Sequence, residues 1–172
     1  MKNPAISVLG FGTWGATIAV HLSKKGIPVH AYCRSRKTIQ YIHQNKFHPN
    51  LRTLIIDDEI TISTDVKSVV SCGDILFIAV PSHAVRKLME DIRDDILSTH
   101  LVVILTKGIE QGSLFTMSQV VGESRKISSD RIVALYGPSH AEEVALEIPT
   151  ALVASGVNKT LNEMIQGLCA SP

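Results

Sequence analysis

Three glycines, Gly10, Gly12 and Gly15, stand where the apolar run "AISVLG" gives way to "TWGATIAVHLSKKG". A strand that turns sharply into a helix leaves backbone N–H groups unpaired at the helix start, and these donors, with the helix dipole, attract an anion. In a G-x-G-x-x-G turn the first glycine permits the bend. The second lets a pyrophosphate approach the backbone, and the third lets the helix lie close to the strand. The spacing alone is weak evidence. A strand before it, a helix after it and a second strand following make it a dinucleotide-binding signal.

The end of the second strand carries the next information. An NAD-preferring site usually has Asp or Glu there for the ribose hydroxyls, but this chain has "YCRSR", whose only charges are Arg34 and Arg36. A guanidinium pairs bidentately with a 2′-phosphate and stacks on adenine. NADP is therefore allowed beside NAD, with Arg34, nearer the strand end, the stronger candidate. A solvated surface charge is the alternative reading of either arginine.

Ligands of open α/β sheets lie outside the carboxyl ends of the strands, so the residues after the later strands are the other candidates. They are "PSH" (Pro81, Ser82, His83), "KG" (Lys107, Gly108) and "GPSHAEE" (residues 137–143). Lys107 directly follows an apolar strand. Its ammonium would neutralise a phosphate or polarise a carbonyl oxygen, unless it only snorkels to solvent. Ser139 with Glu142 three residues on has the spacing of a capping box, which predicts Ser139 as a helix cap at the cleft. His83 and His140 have no carboxylate or cysteine at a spacing that forms a dyad. No His/Cys/Asp cluster has metal-ligand spacing, so no metal is expected.

The elements that must position these residues follow from the apolar runs. Strands are predicted at 5–10, 28–34, 60–63, 74–80, 101–108, 131–137 and 150–155. Helices are predicted at 13–26, 35–45, 65–72, 83–96 and 114–124, then from Ser139 and from about Asn158. Continuous apolar runs mark strands buried on both faces of a parallel sheet. Their alternation with helices predicts an α/β fold, a doubly wound and mostly parallel sheet of Rossmann type. The polar stretch 46–59, with "HPN" at residues 48–50, is predicted to be loop. Its acidic run 57–59 and the charges of "EDIRDD" (90–95) are predicted to be solvated. Residues 1–155 are predicted to form the dinucleotide-binding domain and 156–172 to start a connecting helix. The final "IQGLCASP" has no closing element, so a further domain is expected to follow.

Composition limits the remaining classes. With 172 residues, 45% hydrophobic and 19% charged, the chain is an ordinary globular sequence. A net charge of +1 gives no general pull toward nucleic acid or membrane. Cys33, Cys72 and Cys169 are odd in number and widely spaced, as expected of reduced thiols in a cytosolic protein. The first residues lead directly into a strand rather than a signal peptide, and no apolar run reaches the roughly 18 residues of a membrane helix. A soluble, cytoplasmic protein is expected.

Together, "GFGTWG", "VPSH", "TKGIE" and "GPSHAEE", in this order and at these separations, resemble the N-terminal domain of bacterial NAD(P)-dependent glycerol-3-phosphate dehydrogenases. The resemblance runs over essentially the whole chain. It implies interconversion of sn-glycerol 3-phosphate and dihydroxyacetone phosphate, mainly reduction of the latter to feed glycerophospholipid synthesis. By the resemblance, Thr13 and Trp14 line the cofactor phosphates and ribose, and Arg34 and Arg36 meet the adenosine 2′-end. Lys107 touches both cofactor and substrate, Gly137 and Ser139 touch substrate, and Ala141 touches cofactor. Gly10, Gly12, Gly15 and Pro81 complete the cofactor set. The family's proton-transferring lysine lies on a helical C-terminal domain, beyond residue 172, so this chain is expected to bind cofactor with little turnover. A homodimer is compatible with the resemblance. One departure is "HPN", where the family has a longer tract ending in Leu-Pro. The alternatives are a related two-domain dehydrogenase acting on hydroxyacids, sugar nucleotides or ketopantoate, and a non-catalytic dinucleotide-binding module.

Overall fold

The computed structural model describes residues 4–92 and 99–171. Four of its strands are β1 (Ile6–Leu9), β6 (Ile75–Ile78), β7 (Leu101–Ile104) and β8 (Ile132–Tyr136). Their apolar runs are continuous because each face of the sheet is covered. Side chains alternate across a strand, so Ile6, Ile75, Phe77, Val103 and Val133 enter one core while Leu9, Leu76, Ile78, Val102 and Ile104 enter the other. The first core is closed by α1 (Thr13–Lys24) and α7 (Lys159–Cys169), the second by α3 (Val66–Cys72), α4 (Ser82–Asp91) and α5 (Met117–Arg125).

The remaining elements are β2 (Val29–Tyr32), α2 (Arg36–Asn45), β3 (Phe47–His48), β4 (Leu51–Ile55), β5 (Thr61–Ser63), α6 (Ala141–Ala145) and β9 (Val153–Ser155). The seven-stranded sheet has the order β5-β2-β1-β6-β7-β8-β9. All neighbours are parallel except β8 and β9. Its six parallel strands run 3-2-1-4-5-6 in chain order, which puts the topological switch point between β1 and β6. There Ile6 pairs with Val29 on one side and Ile75 on the other.

Helix boundaries follow local chemistry. Ser35 Oγ accepts the Thr38 N–H at 3.2 Å to start α2, and Asn158 Oδ1 accepts the Leu161 N–H at 3.3 Å to start α7. Thr116 and Gln119 form a full capping box on α5. Gly26, at φ +73°, turns the chain out of α1 toward β2.

The stretch 46–59 differs from expectation. It is not all loop: β3 and β4 form an antiparallel hairpin, with Phe47 opposite Ile55 and His48 opposite Leu51. Burial drives this, because His48, Leu51, Leu54 and Ile56 are all enclosed. The acidic residues 57–59 are exposed as expected. Of the helix expected at 83–96, residues 93–96 lie outside the described residues, as do residues 93–95 of "EDIRDD". The three cysteines are free thiols. Among the described residues no helix is long and apolar enough to cross a membrane, and no group of three His, Cys, Asp or Glu side chains could hold a metal ion.

Candidate functional site

The three glycines of the turn do different physical work. A Cβ on Gly10, at φ +114°, would lie 2.7 Å from the Ala79 carbonyl oxygen, and one on Gly15 would lie 1.9 Å from the Gly10 oxygen. These two let the turn, α1 and the end of β6 pack backbone to backbone. A Cβ on Gly12 would meet nothing within 4 Å. Gly12 instead borders a cleft of about 450 Å³ above the switch point. The first bond of α1 runs from the Ala16 N–H to the Gly12 carbonyl at 2.9 Å. The N–H groups of the first turn therefore have no acceptor within the helix.

Four segments meet around the cleft: the turn with Gly12, Thr13 and Trp14, the β6 end with Pro81, the β7 end with Thr106 and Lys107, and residues 139–142. Hydrogen bonds hold the strand ends together. Thr106 Oγ1 donates to the Val80 carbonyl at 2.7 Å, and Tyr136 OH donates to the Thr106 carbonyl at 2.9 Å. Burial raises the Tyr136 pKa, so the phenol stays protonated as a donor. Lys107 borders the cleft, and its Nζ donates to the carbonyls of Gly137 at 3.0 Å and Ser139 at 3.3 Å. The residue is exposed, but its cation is tethered by both bonds.

The loop carrying Lys107 is anchored on its far side. Arg86 of α4 forks onto Glu110, Nε to Oε1 at 2.8 Å and Nη2 to Oε2 at 2.7 Å, and Nη2 also reaches Glu123 of α5 at 2.7 Å. Ser113 Oγ adds a 2.6 Å bond to Glu110. The Arg86 bond first, then the Ser113 bond, holds the Glu110 carboxyl down at about 2.

Of the residues singled out in the sequence, Gly12, Thr13, Trp14, Pro81, Lys107, Ser139 and Ala141 share the cleft. Gly137 joins through its carbonyl, and Gly10 and Gly15 lie behind the wall. Arg34 and Arg36 do not line the cleft; they are exposed just past β2 and at the start of α2. The expected Ser139–Glu142 capping box is not formed. Helix α6 begins two residues later, with His140 at its N-cap and no side-chain bond there. Ser139 is buried and committed elsewhere: its N–H donates to the Gly137 carbonyl at 2.9 Å while its own carbonyl holds Lys107.

The motif TKGIE contains Thr106 and Glu110, but the bonds of Thr106 to Val80, Glu110 to Arg86 and Tyr136 to Thr106 join residues at least 24 positions apart, which no local spacing reveals. The Trp14 indole Nε1 is buried and has no hydrogen-bond partner among the described residues.

Parallel strands in this order, with a glycine turn at their switch point and a cleft above it, define a Rossmann-type fold. The sequence narrows this further. Residues 5–162 match the family described as NAD-dependent glycerol-3-phosphate dehydrogenase N-terminus, and the chain belongs to that family. It is 41% identical over 161 residues to glycerol-3-phosphate dehydrogenase (NAD(P)+) of Thermoanaerobacter sp. (strain X514), covering 94% of this chain and 48% of that protein. It is 39% identical over 153 residues to the corresponding enzyme 1 of Salinibacter ruber, covering 88% and 45%. The crystal structure of glycerol-3-phosphate dehydrogenase from Coxiella burnetii superposes with a TM-score of 0.89 at 22% identity, over 99% of this chain and 52% of that one. That likeness speaks for the fold. The chain spans about half the length of the curated relatives it matches.

Proposed function

We propose that the cleft binds a nicotinamide dinucleotide and that this chain is the cofactor half of an NAD(P)-dependent enzyme reducing dihydroxyacetone phosphate to sn-glycerol 3-phosphate, a step that feeds glycerophospholipid synthesis. One observation carries the reading: Gly10 and Gly15 are closed by backbone, while Gly12 alone opens on the cleft. That division is what a diphosphate needs, since the turn must be tight and one residue must leave room for the ligand. The amides at the α1 start, which have no acceptor within the helix, supply donors.

A bound nicotinamide supplies the hydride. The chain's residues set the polarity around the acceptor. An ammonium has three donors, and Lys107 gives two to the Gly137 and Ser139 carbonyls. The third is left for a substrate oxygen, where the positive charge favours negative charge developing on a carbonyl. Arg34 and Arg36, which are exposed, meet the adenosine 2′-end in this reading and admit both NAD and NADP. In this reading the proton donor and the rest of the phosphate grip lie outside these 172 residues, and the chain alone binds nucleotide with little turnover. Three free thiols support a cytoplasmic setting.

The test uses Trp14, the single tryptophan, which borders the cleft. Titration with NADH and NADPH is expected to quench its fluorescence saturably. Arg34→Ala is expected to weaken NADPH by about tenfold, the worth of one charge-assisted bond, and to leave NADH nearly unchanged. In the intact protein, Lys107→Ala is expected to cut turnover far more than nucleotide affinity. Absence of saturable quenching overturns the binding reading. Turnover of ketopantoate but not of dihydroxyacetone phosphate overturns the substrate.

A further inference from the structure

His48 lies in the hairpin, does not itself border the cleft, and only 2% of its surface is exposed. Its ring makes two hydrogen bonds. Nε2 is 3.2 Å from the Phe11 carbonyl oxygen, and Nδ1 is 3.2 Å from the Asn50 backbone nitrogen. A carbonyl only accepts and an amide N–H only donates, so the pair fixes one form of the ring: neutral, with the proton on Nε2. Burial supports this by lowering the imidazole pKa, the Phe11 bond acting weakly the other way.

Phe11 is the residue between the first two glycines of the turn. Its side chain is buried and stands 6.4 Å, centroid to centroid, from the His48 ring. With the side chain packed and the carbonyl bonded, the plane of the peptide joining Phe11 to Gly12 is fixed. In a trans peptide the C=O and the following N–H point in opposite directions, and no described peptide is cis. A carbonyl held toward the hairpin therefore turns the Gly12 N–H away from it, and Gly12 itself borders the cleft.

We propose that His48 is a positioning residue: by holding the Phe11 carbonyl it aims the Gly12 amide at the diphosphate of the dinucleotide. The hairpin is then part of the binding apparatus, although it does not touch the ligand. This rests on the proposed nucleotide reading of the cleft. His48→Gln puts an amide N–H2 where Nε2 was and keeps the donor to Phe11. His48→Asn is too short to reach, and His48→Leu has no donor.

ADP-ribose, which carries the diphosphate without the nicotinamide, is titrated into the chain and each variant by Trp14 fluorescence, with melting measured in parallel. His48→Asn and His48→Leu are expected to lose about tenfold in affinity and His48→Gln less than about threefold, though all three melt earlier than the parent. An Asn variant that binds like the parent, or a Gln variant that loses as much as Asn, overturns the proposal and leaves His48 a packing residue. Histidine ¹⁵N shifts of the unmodified chain give a reading without substitution. A neutral Nε2–H ring at pH 7 is expected, and an Nδ1–H tautomer or an imidazolium overturns the proposal. If the parent chain does not bind ADP-ribose, the nucleotide reading itself fails. If it binds and the variants match it, only the role of His48 fails.

Discussion

Gly15 and Gly12 sit three residues apart in one turn, yet a methyl group added to each should do opposite things. On Gly15 it would meet the Gly10 oxygen at 1.9 Å, and backbone cannot yield there without moving β1 or α1. Gly15→Ala is expected to cost about 3 kcal/mol, lowering Tm by roughly 6–12 °C in a chain of this length. On Gly12 it would project into open space. Gly12→Ala is expected to change stability by less than about 0.5 kcal/mol while weakening ADP-ribose at least about tenfold, since the methyl takes the ligand's place. Thermal melting and titration of the same two samples check both. The glycines and Lys107 were legible because their meaning is local: a spacing, and a charge ending an apolar run. His48 was not. Nothing in "KFHPNL" says that an imidazole will be enclosed, or that its acceptor lies 37 residues earlier in the chain.

Among the elements, the clamp joining α4, the loop after β7 and α5 sets a pH response. The Glu110 carboxyl titrates near 2 in the fold, against an ordinary value of 4.5. Between those values the unfolded chain binds a proton that the folded chain does not. The contribution is therefore complete above pH 4.5 and is lost as pH falls through about 2. Urea midpoints are expected to fall between pH 5 and pH 3 more steeply for the parent than for Glu110→Gln. Because the clamp is partly exposed, the difference should shrink at high salt. Equal slopes would mean the fork contributes nothing to the fold. Element types were mostly readable, and the two failures have physical causes. The β3–β4 hairpin turns through Pro49 and Asn50 instead of the Asn-Gly or Asp-Gly that announces a two-residue hairpin, and its register shift obscures the alternation. Ser139 had the right spacing for a capping box, but burial and the Lys107 tether committed it first.

Over the whole molecule, one sheet is shared by two cores, so neither face should unfold alone. Phe77, fully buried in β6 between β1 and β7, sits in the first core while its neighbours Leu76 and Ile78 sit in the second. Phe77→Ala is expected to cost about 3–5 kcal/mol, a large share of the 5–15 kcal/mol typical of a domain. It should lower the urea midpoint in one transition seen alike by far-UV and near-UV circular dichroism. Separate transitions would show the two faces to be independent. The doubly covered parallel sheet was legible in the continuous apolar runs, but its strand order was not.

The two outermost strands of that sheet, β5 (Thr61–Ser63) and β9 (Val153–Ser155), are each only three residues long. Their free rims offer few N–H and C=O groups as a template for a foreign strand. The fold thus keeps its most adhesive segments, the Val- and Ile-rich central strands, inside borders too short to recruit another chain, a safeguard against fibre growth that resides in geometry rather than in charge.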